Sequence, residues 1–168
     1  MPIVLTRIDD RLVHGQIVQG WLKAVDVHKI VVASDAVAAD SMQQMLMAIA
    51  VPSSADLEIK TVKDATEALL RGDYDKAETM ILAASPADIL YMLEQGAKID
   101  SVNVGGMHFV HGKRQLLRNL SVNDEDVAYL YKICERGVEL EGRVLPYDER
   151  VSLAPVIERE FRESGLKR

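Results

Sequence analysis

A single cysteine, Cys134, is all the thiol chemistry this chain holds. One thiol cannot close an internal disulfide or supply a cysteine-pair metal site, which fits a reducing compartment. Cys134 sits among Leu130, Tyr131 and Ile133 and reads as an inert core thiol. Long apolar runs are missing as well. None approaches the ~20 residues needed to span a bilayer. The segment Met1 to Arg7 has neither the basic start nor the apolar core of a signal peptide. Positive charge is in deficit: 20 Lys and Arg against 26 Asp and Glu leave a formal net charge of -6. That balance argues against nucleic acid as a partner. There is no internal repeat, linker or low-complexity stretch.

Familiar catalytic signatures are absent too. No G-x-G-x-x-G follows the first apolar run, and no G-x-S-x-G elbow supports a hydrolase. Gly106 to Lys113 imitates a phosphate-binding loop. Its spacing is one residue too long, and Arg114 stands where a Ser or Thr must hold magnesium. His108 and His111 are near neighbours, but without H-E-x-x-H or a cysteine pair they make no complete metal-ligand set. His28 reads as a surface residue. A phospho-aspartate receiver domain would use Asp9 and Asp10. It also needs an acceptor Asp after the third strand and a Lys after the fifth, where this chain has Lys63 and Gly105.

What is present is an ordinary globular composition, 48% hydrophobic and 27% charged over 168 residues. The simplest reading is one domain, residues 1–168. Ile3-Val4-Leu5, Lys29 to Ser34, Leu57 to Val62, Thr79 to Ala84, Ser101 to Val104 and Val138 to Leu140 are predicted strands. The third alternates as a half-covered strand does, and the fourth is apolar throughout, as a central parallel strand is. Helical faces appear between them. Ile17, Val18, Trp21 and Val25 share one; Met42, Met45, Leu46 and Ile49 share another and read as core filler; Ala65, Ala68 and Leu69 mark a third. Ser85-Pro86-Ala87-Asp88 starts a capped helix that Gly96 stops, and Asn123 opens one that ends near Gly137. Leu153 to Phe161 forms the last, and the polar tail Glu163 to Arg168 is expected to fray. Strands alternating with helices give a parallel sheet covered on both faces. The rhythm breaks only between Gly105 and Ser121, where a hairpin excursion is expected.

The richest segment is Arg7-Ile8-Asp9-Asp10-Arg11-Leu12-Val13-His14-Gly15-Gln16. It places a histidine, two arginines and two carboxylates between a strand and a helix, at the sheet edge where ligands bind in open α/β folds. Imidazole is a good nucleophile toward phosphorus and a tolerable leaving group. Arg11 offers a planar fork for phosphoryl oxygens. The free N–H groups after Gly15 attract an anion, and glycine admits a close approach. Asp9 or Asp10 is placed to orient a ring nitrogen or to hold Arg11. A histidine in such a turn is also commonly just a hydrogen-bonded loop residue. On position alone, both readings of His14 stand.

This segment, together with Asn103-Val104-Gly105-Gly106-Met107, resembles the IIB components of the mannose/fructose/sorbose family of the bacterial phosphoenolpyruvate-dependent sugar phosphotransferase system. The resemblance covers essentially the whole chain. It implies a doubly wound, mostly parallel sheet with helices on both faces and an antiparallel strand or hairpin near one edge. It implies a phosphocarrier without cofactor or metal. Such a carrier takes a phosphoryl group from phosphohistidine on a IIA protein or domain and gives it to a sugar entering through the membrane IIC and IID subunits. By matching positions the phosphorylated residue is His14, on Nδ1, with Arg11 cradling the phosphoryl. Asp9, Asp10, Gly15, Gly105 and Gly106 are supporting positions. Arg7, Lys113, Arg114 and Arg118 are expected on an exposed rim. The family role places the protein in the cytoplasm, at the inner face of the membrane, and admits a homodimer. A regulatory phosphohistidine module on the same scaffold is the alternative. The transported sugar is not legible.

Overall fold

The structure, a computed structural model, describes residues 3–166. Seven strands form one sheet: β1 (Ile3–Asp9), β2 (Lys29–Ala33), β3 (Asp56–Lys60), β4 (Thr79–Ala83), β5 (Ser101–Gly106), β8 (Glu139–Gly142) and β9 (Val151–Ser152). Their order is β3-β2-β4-β1-β5-β8-β9, and all pairs are parallel except β8 with β9. The break after Gly105 is a separate antiparallel hairpin of β6 (Arg114–Leu117) and β7 (Leu120–Val122). The chain leaves β1 toward β2 on one side and later crosses from β4 to β5 on the other. The carboxyl end of β1 is therefore the switch point where such sheets place ligands.

Side-chain alternation along the strands builds two cores. Ile30 and Val32 of β2, with Met80 and Leu82 of β4, join Leu12, Ile17 and Trp21 on one face. Val31, Ala33, Ile81 and Ala83 face the other way, toward the larger core. Alternate residues of a strand point to opposite faces. The first core is covered by a π-helical stretch (Ile17–Trp21) running into α1 (Leu22–Ala24), and by α2 (Asp35–Ala38) and α3 (Ser41–Ala50). The second core lies under α4 (Val62–Arg71), α5 (Pro86–Glu94), α6 (Asp124–Glu135) and α7 (Ala154–Glu163). Gly96 and Gly137 follow α5 and α6 with φ of 100° and 79°, as stop residues do. Asn123 and Asp126 form a reciprocal capping box at the start of α6. Ser85 occupies the position before Pro86 without capping through its side chain.

Three expectations need correction. β1 runs on to Asp9, so Arg7, Ile8 and Asp9 belong to the strand and not to the turn after it. The stripe Met42, Met45, Leu46 and Ile49 is not core: these side chains are 57–76% exposed. α3 is held instead by Met47 and by Gln44, whose Nε2 donates to the carbonyls of Val37 and Ala38. An amphipathic pattern gives a face but not the direction it points. The tail is ordered as far as it is described, since α7 includes Glu163 and Leu166 packs on the core; Lys167 and Arg168 lie outside the described residues.

Candidate functional site

The site grows from the last residues of β1. Leu5 lies with the first core and Ile8 with the second, so strand parity directs Arg7 and Asp9 to the side of Trp21. Arg7 is 0% exposed, and this overturns its placement on a solvated rim. Register explains how its terminal nitrogens are satisfied, while its Nε is buried without a hydrogen-bond partner among the described residues. Arg7 sits opposite Asn103 of β5, and Asn103 sits opposite Glu141 of β8. The result is a polar row across three strands. Arg7 Nη1 donates to Asn103 Oδ1 at 2.5 Å and to the Arg143 carbonyl at 3.0 Å. Asn103 Nδ2 donates to Glu141 Oε1 at 3.0 Å. Arg143 closes the row with two hydrogen bonds to Glu141, at 3.0 and 2.9 Å. Both guanidinium groups lie over the Trp21 ring, Arg7 Cζ 5.2 Å and Arg143 Cζ 5.1 Å from its centre, within cation–π range.

The other end of Arg7 holds Asp9. Arg7 Nη2 donates to Asp9 Oδ2 at 3.0 Å. The same oxygen lies 2.8 Å from His14 Nε2, and Asp9 Oδ1 accepts the Arg11 N–H at 3.1 Å. Burial pushes the Asp9 carboxyl up. The His14 hydrogen bond, the Arg7 charge and the Arg11 amide outweigh that push and hold it below its ordinary value. Burial lowers Arg7, opposed by Asp9.

An ionised carboxylate only accepts, so His14 must donate from Nε2. That tautomer leaves the Nδ1 lone pair free. Nδ1 has no partner among the described residues and is not sealed from solvent. The His14 side chain is 14% exposed: recessed, but reachable.

The turn that presents His14 is under backbone strain. Leu12 is buried and adopts a left-handed φ of 57°, uncommon for a residue with a Cβ, while its N–H donates to the Asp9 carbonyl. The carbonyl of His14 accepts from both Ile17 and Val18. Helix therefore begins immediately after the ring, with its first N–H groups unpaired by helix geometry. Arg11 is 44% exposed; its Nε lies 3.8 Å from Asp9 Oδ1, and its Nη2 donates to Gln16. Of the two guanidinium groups around Asp9, only that of Arg11 reaches solvent and an incoming anion.

Asp10 turns aside and grips His108, accepting its N–H at 2.7 Å and pairing with its ring. Gly105 and Gly106 have different jobs. A Cβ on Gly105 would lie 1.8 Å from Arg7 Cζ, so Gly105 is the opening through which Arg7 passes. A Cβ on Gly106 would crowd Asp9 and His108, at 3.2 and 3.4 Å. A Cβ on Gly15 would meet nothing within 4 Å, so packing alone does not require glycine there. Lys113 pairs with Asp126 and Arg114 with Asp124 and Glu160, tying both to the helical layer and not to the site. Arg118 is exposed at the hairpin, beside a cavity of about 280 Å³ lined by Val104, Leu120 and Leu153.

A recessed histidine with one nitrogen committed and the other free, at the switch point of this sheet, is matched by family. Residues 3–166 fit the model of the PTS system sorbose subfamily IIB component. The chain belongs to that family. It is 38% identical to the PTS system fructose-specific EIIB component of Bacillus subtilis (strain 168), over 88% of this chain and 91% of that one. It is 37% identical to the PTS system mannose-specific EIIAB component of Escherichia coli (strain K12), over 94% of this chain but only 49% of that longer protein. The crystal structure of the IIB domain of the sorbose permease from Klebsiella pneumoniae superposes with a TM-score of 0.88 at 31% identity, covering 95% of this chain and 98% of that one. This IIB component is thus a phosphotransferase of the sugar phosphotransferase system. Among the described residues no helix is long and apolar enough to cross a membrane.

Sequence reasoning placed Asp9, Arg11 and His14 in one site, and the structure joins them. It missed the buried row of Arg7, Asn103, Glu141 and Arg143. A signal existed: had β1 been carried to Asp9, Arg7 and Asp9 two apart would have shared one strand face. Asn103 between Val102 and Val104 is likewise a polar residue inside an apolar strand.

Proposed function

We propose that His14 carries the phosphoryl group, bonded through Nδ1. It receives the group from phosphohistidine of a IIA protein or domain and passes it to a sugar handled by the IIC and IID membrane subunits. The single observation that carries this reading is the Asp9–His14 hydrogen bond of 2.8 Å, which commits Nε2 to the proton and leaves the Nδ1 lone pair free. In the receiving step the donor's N–P bond breaks and its electron pair returns to the donor ring. The Nδ1 lone pair of His14 forms the new P–N bond. The proton on Nε2 stays, and the phosphorylated ring gains a positive charge that Asp9 stabilises across the same hydrogen bond. Arg11 and the first N–H groups of the helix take the charge on the equatorial oxygens. The second step reverses the roles: the His14 N–P bond breaks, a sugar hydroxyl attacks phosphorus, and its proton leaves to solvent or a neighbouring base.

The carrier works in the cytoplasm at the inner membrane face, where both partners can reach the site. The test is transfer of labelled phosphoryl from phosphorylated IIA. The label is expected to be acid-labile and base-stable and to vanish in His14→Ala. Base-labile label retained in His14→Ala would place the phosphoryl on a carboxylate and refute the reading.

A further inference from the structure

Two exposed aromatic side chains sit on loops tied to the turn that carries His14. Phe109 is 66% exposed, with Val110 exposed beside it. The preceding residue, His108, is clasped by Asp10 through both backbone and ring. On the other flank Tyr147 is 80% exposed. It shares a shallow groove with Gly15, Gln16 and Gln19, the residues that follow His14. Its loop is fastened by four bonds: Trp21 Nε1 to the Val144 carbonyl, Arg143 Nη1 to the Pro146 carbonyl, the Leu145 N–H to the Asp148 carboxylate, and the Asp148 N–H to the Leu145 carbonyl. Neither ring makes a hydrogen bond or ring contact among the described residues. Aromatic residues are scarce in this chain, at 5%, yet two are held in water on loops joined to the turn of the reactive ring.

We infer that Phe109 and Tyr147 are the anchors on which the IIA phosphoryl donor docks. The inference rests on His14 being the acceptor. The His14 side chain is only 14% exposed, so a donor ring must come to it, with reacting atoms about 3–3.5 Å apart. A protein surface brought that close meets the loops held by Asp10 and by the Gly15–Gln19 groove, which makes the two rings continuous with the transfer interface. The mannose EIIAB relative carries both its named components in one polypeptide, so a IIA unit is a natural companion of this fold. A carrier must also release its donor. Small transient interfaces achieve this with a few aromatic anchors, where loss of one costs about tenfold or more in binding.

The experiment compares two donors on the intact chain: phosphorylated IIA, and phosphoramidate, which is too small to touch the loops. With phosphoramidate the P–N bond breaks, ammonia leaves with a proton, and phosphorus bonds to Nδ1. Phe109→Ser and Tyr147→Ser are each expected to raise KM for phosphorylated IIA about tenfold with little change in kcat, and to leave labelling by phosphoramidate unchanged. Phe109→Leu and Tyr147→Phe should recover most of the loss. Leu70→Ser, at an exposed apolar position on α4 near the amino-terminal end of β1, the opposite end from His14, should change neither reaction. Unchanged transfer from IIA in both serine variants would overturn the docking role while leaving His14 as acceptor. Equal loss with both donors would also overturn it, because the rings would then be shaping the site. Failure of both donors to label His14 in the unaltered chain would sink the underlying reading instead.

Discussion

Gly105→Ala adds one methyl group, and the geometry of Arg7 makes it a severe change. The new Cβ would lie 1.8 Å from Arg7 Cζ and 2.0 and 2.2 Å from its two terminal nitrogens. No rotation of a planar guanidinium opens that space, because Asn103, Arg143 and Asp9 fix it on three sides. The side chain must leave, and the buried Asp9 carboxylate then loses its main counter-charge. Breaking a buried pair in this way costs about 3–5 kcal/mol. In a chain of this size that is about 6–20 °C of melting temperature, at ~2–4 °C per kcal/mol. The backbone of Gly105 is not left-handed, so alanine itself is tolerated and the whole cost comes from Arg7. A double-mutant cycle isolates that claim by thermal and urea unfolding. In an Arg7→Ala background the space is vacant, and Gly105→Ala should then fall within about 1 kcal/mol of neutral. A cost as large in that background as in the natural sequence, or a cost below about 1 kcal/mol in the natural sequence, would refute the reasoning.

Other consequences are equally specific. Arg11→Ala should slow transfer from IIA about a hundredfold, while melting moves little, since the side chain is exposed and so is its hydrogen bond to Gln16; an unaltered rate removes its role. Asp9→Asn should destabilise the protein at pH 7 by about 3–5 kcal/mol. Because the Asp9 carboxyl is held below its ordinary value, its contribution is full above the unfolded value of ~3.9 and is lost as pH falls through the folded value. The stability gap between the natural chain and Asp9→Asn, followed by urea midpoints, should therefore narrow in acid, and a gap constant with pH would contradict the assignment. Burial pushes the Cys134 thiol up to about 11. At pH 8 only about one thiol in a thousand is then ionised, so disulfide reagents should react roughly two orders of magnitude faster with the unfolded chain; equal rates would place Cys134 at the surface.

The sequence by itself determined the alternation of strands and helices, the helix stops at Gly96 and Gly137, and the segment that holds Asp9, Arg11 and His14. These are local properties: hydrophobic period, turn chemistry and residue type are written within a few positions of one another. Only the tertiary structure decided which way an amphipathic face turns. The Met42, Met45, Leu46 and Ile49 stripe has helical spacing yet points to water, because Met47 and Gln44 happen to meet the sheet and α2. Tertiary structure alone also buried Arg7. The partners of its guanidinium lie up to 136 residues away, at Asn103 and Arg143, and strand register brings them opposite it. A charge is affordable in the interior only when such distant groups converge on it, and no window along the chain contains that convergence.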